Sequence, residues 1–540
     1  MQCSEKIKCL FGFAPSLIDW LVVFAVFHYK TVNLFGDIGT TDLQLWLIVS
    51  VYILFRLVSY CGLGAKARRL SLCLLIALAC IIETVIGISQ AITNNIYSGV
   101  SVCVGTFYNP GLLGGFLSAC LCILAPMIKI EDNKYLRWVI WTAIACTVIV
   151  LPSTKSRASY IVIALCVLYP LLKDSKYALL LRKNRLYVLT FLFALVVLAY
   201  FWKKESANSR LFIYFISLRF LFSNPISGIG YGNFGGIYGS AQASFFQSQF
   251  PVFSDLIASN KYSTIISQID CPLYAFNDFI QLGIEGGIIV LALFLAIIII
   301  SLKVTINDKK WIFYGLLSVC IFASFSYPFH CLEFNILVSL LIAESQNTYL
   351  EYNHTSTHIL ALRTFALIVC LVVLLPYNHG VTGSKEMKRK RNMIEVSNMS
   401  ADYYKTISIC ESLGDIIKSD YSALFEYGLA LNKVGYYMES DSILKMGTDR
   451  SSDPMFWDIM GNNSLALGDY REAERCYKHA FYMLPNRLYP LYLLAKLYHE
   501  EGDTTQFLKM ADNINLFVSK VESKNTDRLR NEIRELKDNY

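Results

Sequence analysis

Apolar runs of near membrane-spanning length follow one another through the first 377 residues, separated by polar segments. A helix needs about 20 predominantly apolar residues to cross the hydrocarbon core of a bilayer. Eleven runs approach this length, the tenth being the shortest: 11–30, 43–62, 70–91, 111–129, 136–152, 158–173, 185–202, 280–302, 311–327, 331–345 and 358–377. The pattern predicts an all-α polytopic membrane domain over residues 1–377, with about 11–12 transmembrane helices.

Lysine and arginine residues between the runs predict how the chain is oriented. Short cytoplasmic loops carry an excess of these residues, and the basic loops all fall on one side of the predicted topology: 66–69, 129–137, 173–185 and 303–310. This places the N-terminus in the cytoplasm and the long loop over 203–279 outside it. Eleven spans place the C-terminal part outside as well. The basic cluster over 385–391 opposes this, and one span more or fewer would reverse the side.

Composition agrees with a membrane protein, since 55% of the residues are hydrophobic and only 16% are charged. Soluble domains carry about 25% charged residues. The net charge of +7 lies largely in short clusters beside the apolar runs, which favours membrane topology over nucleic-acid binding. The 16 cysteines include no matched pair of Cys-x-x-Cys motifs, so a zinc site is not indicated.

After residue 377 the sequence changes to amphipathic helices of soluble type, and a repeat with a period near 34 residues begins. The best-matched copy has the tetratricopeptide residues at their usual spacings: Trp457, Gly461, Gly468, Tyr470, Ala473, Tyr477, Ala480 and Pro485. We therefore predict a linker over 378–400 and a tetratricopeptide α-solenoid over 401–540. Such arrays bind protein partners through a concave face.

The loop over 203–279 is the longest polar interval of the membrane part, and loops of this length are usually functional or disordered. Arg210 and Arg219 flank a segment, 211–218, that reads as an amphipathic helix lying in the membrane interface. Arginine suits phosphate because its planar fork donates two parallel, charge-assisted hydrogen bonds. Gly230 begins a GxGxxG match, but no apolar strand precedes it, so we reject a dinucleotide site and predict a bent, re-entrant backbone.

Two further outer loops carry candidate residues. Asn109 belongs to an Asn-Pro-Gly turn immediately before a span. Lys155 and Arg157 lie in a tight connection at the outer face, where they either bind an anionic substrate or snorkel to lipid headgroups. Two or three arginines converging from separate loops would form a pyrophosphate cradle without a metal.

The far end of the long loop carries polar residues that lead into the eighth span. Asp278, Gln281 and Glu285 share one helical face just after Asn277. Ionisable groups at the mouth of a membrane helix are functional candidates by default. His330 lies in another outer loop, and neither it nor any spaced carboxylate cluster predicts a metal site on that side.

Together these loops resemble the O-antigen ligase and polymerase superfamily, specifically its branch with a tetratricopeptide tail. The resemblance covers about residues 70–345 and lies in four stretches: Gly105-Thr106-Phe107-Tyr108-Asn109-Pro110, Ser156-Arg157-Ala158, Arg210 with Pro225, Gly228 and Gly230-Tyr231-Gly232-Asn233-Phe234, and Asn277-Asp278 with Glu285-Gly286-Gly287. Their order, with seven predicted spans before the long loop, makes the combination more specific than any single motif.

The resemblance implies a metal-independent glycosyltransferase, without a cofactor, on the periplasmic face of a bacterial inner membrane. It would move a glycan from an undecaprenyl-pyrophosphate carrier to an acceptor hydroxyl. Arg157 and Arg210 would hold the pyrophosphate, and a base near the exit helix would deprotonate the acceptor. Many members have histidine where this chain has Phe276, which leaves Asp278, Glu285 or His330 as candidates for the base.

Several functions stay open within and outside this resemblance. The enzyme would be a ligase to lipid A-core, a polymerase of repeat units or a protein O-glycosylating enzyme. The non-enzymatic alternatives are an inactive scaffold, suggested by Phe276, and a transporter or channel that recruits envelope partners through its repeats. Glu83 is the main acid within a predicted span, which is little for a transport pathway.

Overall fold

We describe a computed structural model of the chain. It describes residues 65–98, 103–173, 204–260, 266–346, 377–520 and 522–538, with short pieces or single residues at 17–18, 21–22, 48–49, 51–56, 187, 190, 194 and 201. The described residues are helices, 3-10 turns and connecting loops, without a strand. The all-α prediction is therefore confirmed for this part of the chain.

Seven described helices form the membrane part on either side of the long loop: α1 Ala65–Ser98, α2 Pro110–Ile130, α3 Lys134–Val150, α4 Arg157–Lys173, and, after the loop, α8 Asp278–Thr305, α9 Lys310–Ala323 and α10 Leu332–Gln346. Among the described residues, four segments are long and apolar enough to cross a membrane: Ala65–Thr93, Pro110–Ile130, Lys134–Thr154 and Asp278–Thr305. The predicted spans at 158–173, 311–327 and 331–345 correspond to α4, α9 and α10, which are shorter. The predicted spans at 11–30, 43–62, 185–202 and 358–377 lie largely or wholly outside the described residues.

A buried ion cluster joins two of the predicted cytoplasmic loops. The guanidinium Nε of Arg68 donates to Glu344 at 3.0 Å, and Lys309 Nζ lies 3.3 Å from the same carboxylate and donates to the Glu344 carbonyl oxygen at 2.6 Å. Burying charges is tolerated when they are paired and hydrogen-bonded. The contact brings the loops at 66–69 and 303–310 to the same end of the helical bundle, as the basic-residue pattern predicts.

The helix that leaves the long loop, α8, is broken at Gly287, whose φ of 77° and ψ of 175° are not helical. The segment from Pro225 to Gly230 inserts at the break and takes up its free backbone groups. Ile229 N donates to Ile284 O at 2.9 Å, Gly230 N to Glu285 O at 3.0 Å, and Ile288 N to Pro225 O at 2.8 Å. Gly228, Gly230 and Gly232 all have positive φ. The glycines bend the backbone here, in agreement with the re-entrant reading of the GxGxxG match.

Three helices form within the long loop: α5 Lys204–Ser223, α6 Phe234–Gln249 and α7 Phe253–Asn260. The predicted amphipathic helix at 211–218 lies inside α5. The C-terminal part contains nine helices: α11 Tyr377–Met399, α12 Tyr403–Glu411, α13 Tyr421–Val434, α14 Tyr437–Thr448, α15 Met455–Ala466, α16 Tyr470–Met483, α17 Tyr489–Glu501, α18 Thr504–Leu516 and α19 Lys524–Asp538.

Consecutive C-terminal helices pack in pairs, and small residues let their axes approach closely. A Cβ added to Gly461 would lie 2.4 Å from the Tyr477 ring, and one added to Gly428 would lie 2.5 Å from Leu444. The assignment of these pairs to tetratricopeptide repeats stays a prediction. The segment predicted as a linker is helical in α11, and Met387 and Ile394 on it share a buried core with Leu424.

The C-terminal helices dock on the long loop. Helix α6 packs against α16, and one apolar core contains Phe246 and Leu256 from the loop together with Phe481 and Leu491 from the C-terminal part. A continuous core of this kind cannot extend through a bilayer, so the loop and the C-terminal helices lie on the same side of the membrane. This requires an even number of crossings between them, and the predicted topology has four.

Candidate functional site

A cavity of about 340 Å³ opens where four loops meet, at the end of the bundle opposite the ion cluster of Arg68, Lys309 and Glu344. Its walls come from the Asn109 turn, the connection between α3 and α4, helix α5, and the loops before α8 and after α9. The lining residues are Asn109, Pro110, Gly111, Ser153, Thr154, Lys155, Ser156, Arg157, Ala158, Ser206, Arg210, Phe276, Phe322, Phe325, Ser326 and Tyr327. This described lining contains three cationic side chains and no carboxylate, which makes the cavity electropositive.

Arg210 enters the cavity from α5 and is held on two sides. Its Nη1 donates to the carbonyl oxygen of Phe325 at 2.8 Å, and its guanidinium carbon lies 5.0 Å from the centre of the Phe276 ring. A guanidinium at this distance from an aromatic face is attracted by the ring quadrupole. Burial lowers the pKa of Arg210, and the nearby charge of Arg157 also lowers it. An anion between the two arginines would relieve this repulsion.

Phe276 holds its ring under Arg210 with a backbone φ of 54°, which is unusual for a bulky residue. Tyr214 stabilises this conformation by donating its hydroxyl hydrogen to the Phe276 carbonyl oxygen at 3.0 Å. Strained backbone of this kind persists where the surrounding structure determines it, and it is concentrated at functional sites. Phe276 therefore supports the Arg210 guanidinium with its aromatic ring.

The connection between α3 and α4 supplies the other two cations. A 3-10 turn, Leu151–Thr154, ends at Lys155, which has a left-handed φ of 50° and an exposed side chain. Arg157 then begins α4, and its Nη2 lies 3.5 Å from the Ser206 hydroxyl of α5. Both side chains line the cavity, and their binding of a ligand stays a prediction.

Asn109 shapes the cavity wall through its side-chain amide. The oxygen Oδ1 caps helix α2 by accepting from Gly111 N at 2.7 Å, and Nδ2 donates to the Tyr327 hydroxyl at 3.0 Å. The turn before it is held by Glu83, which accepts hydrogen bonds from the Thr106 amide at 2.9 Å and the Thr106 hydroxyl at 2.6 Å. Glu83 therefore stabilises this turn. From the sequence it was only a weak candidate for part of a transport pathway.

The exit residues lie behind the cavity rather than in its wall. Asn277 caps α8 and donates through Nδ2 to Ser324 O at 3.1 Å. Glu285 is buried, and its Oε1 accepts from Gln281 Nε2 at 3.2 Å and from Phe234 N at 3.4 Å. These contacts tie the glycine-rich segment to α8 and keep the Glu285 carboxylate away from the cavity.

Asp278 and His330 form a pair one layer behind the cavity. Asp278 Oδ2 accepts from Phe329 N at 2.7 Å, while Oδ1 lies 3.7 Å from His330 Nε2. Burial lowers the pKa of His330 to about 4, so its imidazole is neutral at physiological pH. Arg219 is separate from both groups. It is exposed on α5, where its guanidinium stacks on the rings of Phe215 at 5.5 Å and Phe245 at 5.2 Å.

A family comparison matches the part of the chain that contains the cavity. Residues 114–295 match the family model of the O-antigen ligase, a range that includes Arg157, Arg210 and Phe276. This part of the chain belongs to the O-antigen ligase family. The resemblance to the O-antigen ligase family is thereby confirmed for these residues, while the branch with a tetratricopeptide tail stays a prediction. No curated protein and no solved structure gives a significant match to the chain.

Aromatic residues beside the cavity were missed by the sequence reasoning. Tyr327 closes one wall of the cavity, and Tyr274 stacks on it with ring centres 4.6 Å apart. The signal was present in the density of aromatics beside the outer loops, but a single sequence does not separate ligand-facing rings from core rings. Across the described ranges, no group of three His, Cys, Asp or Glu side chains is placed to hold a metal ion.

Proposed function

We propose that this protein transfers a glycan from an undecaprenyl-pyrophosphate carrier to an acceptor hydroxyl at the periplasmic face of a bacterial inner membrane. Membership of the O-antigen ligase family indicates a membrane enzyme of the glycan ligase or polymerase type. The carrier and the acceptor are what the family resemblance implies, the cationic cavity supports a phosphate-bearing carrier, and the side of the membrane is inferred from the basic-residue pattern. The C-terminal helices, which share a core with the long loop, would then be periplasmic too.

The proposal rests on the convergence of Lys155, Arg157 and Arg210 on one cavity whose described lining has no acidic side chain. These cations come from two segments that are distant in sequence, and nearby positive charges repel each other unless an anion lies between them. A pyrophosphate offers two phosphates to such a set, and arginine forks bind each of them through paired hydrogen bonds. The cavity therefore suits the charged end of a lipid carrier.

The same cations would promote the chemistry. As the bond between the glycan and the carrier breaks, negative charge grows on the departing pyrophosphate. Preorganised donors aimed at that charge stabilise the transition state more than the ground state. Phe276 and the Phe325 carbonyl hold Arg210 in place beforehand, so little reorganisation is needed when the charge develops.

The acceptor hydroxyl must lose its proton, and the pair Asp278 and His330 is the best placed of the predicted candidates. The Oδ1 atom of Asp278 has no hydrogen bond in the described structure and faces His330 at 3.7 Å. We propose that an acceptor or a water connects this pair to the cavity beside Tyr327. Glu285, held by Gln281 and backbone amides, is proposed to act structurally instead.

Single replacements of Arg210 and Arg157 by alanine test the proposal, with Arg219→Ala as the matched control. Arg219 lies on the same helix as Arg210 and also contacts an aromatic ring, but it does not line the cavity. We expect both cavity variants to abolish or shorten the surface glycan of the producing cell, at normal protein levels. Normal glycans in both would refute the transferase proposal and favour a scaffold role.

Deleting the gene separates the enzymatic alternatives. Free long chains on the carrier would identify a ligase, whereas single capped repeat units would identify a polymerase. A surface glycan that is unchanged while glycosylated proteins disappear would identify a protein O-oligosaccharyltransferase.

A further inference from the structure

A row of stacked aromatic rings leads away from the cationic cavity. Tyr108 lies over Tyr327 with ring centres 6.4 Å apart and planes 22° apart. Tyr327 lies against Tyr274 at 4.6 Å and 17°, and Tyr274 against His330 at 4.4 Å. The residues come from three separate loops, and we call this set the aromatic row.

The aromatic row is continuous with the cavity but is not simply part of the core. Tyr327 lines the cavity beside Phe276, whose ring meets Tyr327 edge-on at 5.3 Å. Tyr108, the ring next to Tyr327 in the row, leaves 62% of its surface exposed. The row therefore presents aromatic surface to solvent at the place where a chain attached to a bound pyrophosphate would leave the cavity.

Polar atoms of the aromatic row are arranged for a partly polar ligand. The Tyr327 hydroxyl accepts from Asn109 Nδ2, which leaves its own hydrogen available. The hydroxyls of Tyr108 and Tyr274 interact with each other at the exposed end. Tyrosine combines an apolar ring with a hydroxyl that both donates and accepts, so it suits ligands that have both kinds of surface.

We propose that the aromatic row is a stacking subsite for the first pyranose rings of the lipid-linked glycan, next to its pyrophosphate. This inference rests on the proposed function. A pyranose has an apolar face of C–H groups with hydroxyls around its edge. The C–H face packs against the electron-rich face of an aromatic ring, and the hydroxyls reach the tyrosine oxygens. Arg157 and Arg210 would hold the carrier end, and the aromatic row would orient the glycan end.

The test compares binding of two probes to the full-length protein in lipid nanodiscs: bare undecaprenyl pyrophosphate and the producing cell's own lipid-linked glycan. The variants are Tyr108→Ala, Tyr108→Phe and the control Tyr135→Ala, an exposed tyrosine at the start of α3. We expect Tyr108→Ala to weaken binding of the lipid-linked glycan about threefold to tenfold, the usual worth of one aromatic contact, with bare-carrier binding unchanged. Tyr135→Ala should bind both probes like the wild type, and Tyr108→Phe, which keeps the ring and loses only the hydroxyl, should bind the lipid-linked glycan more tightly than Tyr108→Ala does.

Two results would overturn the subsite. One is equal binding of the lipid-linked glycan by wild type and Tyr108→Ala; the other is an equal loss for both probes, which would show damage to the cavity itself. Failure of the underlying function has a different signature, because the wild type would then show no binding of bare carrier that depends on Arg210.

Discussion

Replacing Gly287 with alanine tests whether the break in α8 is a required part of the fold. The φ of 77° and ψ of 175° at this position are accessible essentially only to glycine. An added Cβ would also lie 1.9 Å from the carbonyl oxygen of Ile226, which is backbone and cannot move aside alone. The inserted segment, and with it Gly228, would have to leave the break.

The structure gives the size of the effect. Forcing alanine into this backbone region costs about 1–3 kcal/mol. Displacing the inserted segment breaks three backbone hydrogen bonds at 2.8–3.0 Å, each worth about 1 kcal/mol net. We therefore expect a loss of about 4–6 kcal/mol, which should appear as a clearly lowered thermal midpoint of the purified protein in nanodiscs.

Gly435→Ala is the matched control. Gly435 also has a positive φ, of 88°, but an added Cβ would meet nothing within 4 Å. Only the left-handed backbone is then disfavoured, at about 1–2 kcal/mol. The reasoning about the inserted segment would be refuted if the two variants lowered the midpoint equally, or if Gly287→Ala kept the wild-type midpoint.

Three further changes probe other parts of the molecule. Phe276→Ala should lower kcat/KM for glycan transfer up to about tenfold, because it removes the ring under Arg210. Phe276→Tyr keeps a ring there and should keep most activity. Similar rates for the two variants would contradict the role of the ring in holding Arg210. Burial lowers the pKa of His330 to about 4, below its ordinary 6.5, so its neutral form contributes stability that is complete above pH 6.5 and lost as pH falls towards 4. Midpoints measured from pH 7 to 4 should fall less in His330→Phe than in wild type, and parallel curves would contradict this. Asn486→Ala removes two hydrogen bonds to the long loop, at 2.9 and 3.0 Å, and should make that loop more sensitive to protease, whereas Asn398→Ala, which breaks bonds to Glu426 within the C-terminal part, should not.

The cavity was largely predictable because its chemistry is carried by residue types that are costly at a membrane surface. Arginines on the outer side contradict the usual charge distribution, so Arg157 and Arg210 were noticeable from the sequence. An Asn-Pro-Gly turn likewise marked Asn109. In the structure Asn109, Arg157 and Arg210 all line the same cavity, as expected for loops that converge.

The roles of the residues at the exit of the long loop were harder to predict, because helix caps and catalytic groups are built from the same types of polar side chain. Asn277 and Glu285 have the composition of an active site, yet both bind backbone amides. The position of Arg219 was equally hidden, since its aromatic partner Phe245 lies on another helix. Whether such a residue has a structural or a functional role depends on tertiary contacts, and the spacing of residues along one helix does not reveal these contacts.

The surface on which the C-terminal part docks has a recognisable sequence pattern of small residues. Gly235, Gly236 and Gly239 form a small-residue face on α6, and Ser452 bonds to the backbone of both Gly235 and Gly239. A Cβ at Gly236 would lie 1.9 Å from the Asp449 carbonyl oxygen. Small residues at helical spacing indicate close approach, but they do not identify the partner. The partner here lies more than two hundred residues away in the same chain.

The break at Gly287 imposes an order of assembly on the growing chain. Residues Pro225 to Gly230 leave the ribosome before Ile288, whose amide they receive, so the segment must wait beside the membrane until α8 is inserted. Helix α6 waits longer, because Gln242 donates to the Met483 carbonyl oxygen. During that interval the apolar face of the long loop, which contains Phe246 and Leu256, is not yet packed against the C-terminal helices. A nascent chain halted between α8 and α16 would therefore expose this apolar face until the C-terminal helices are made.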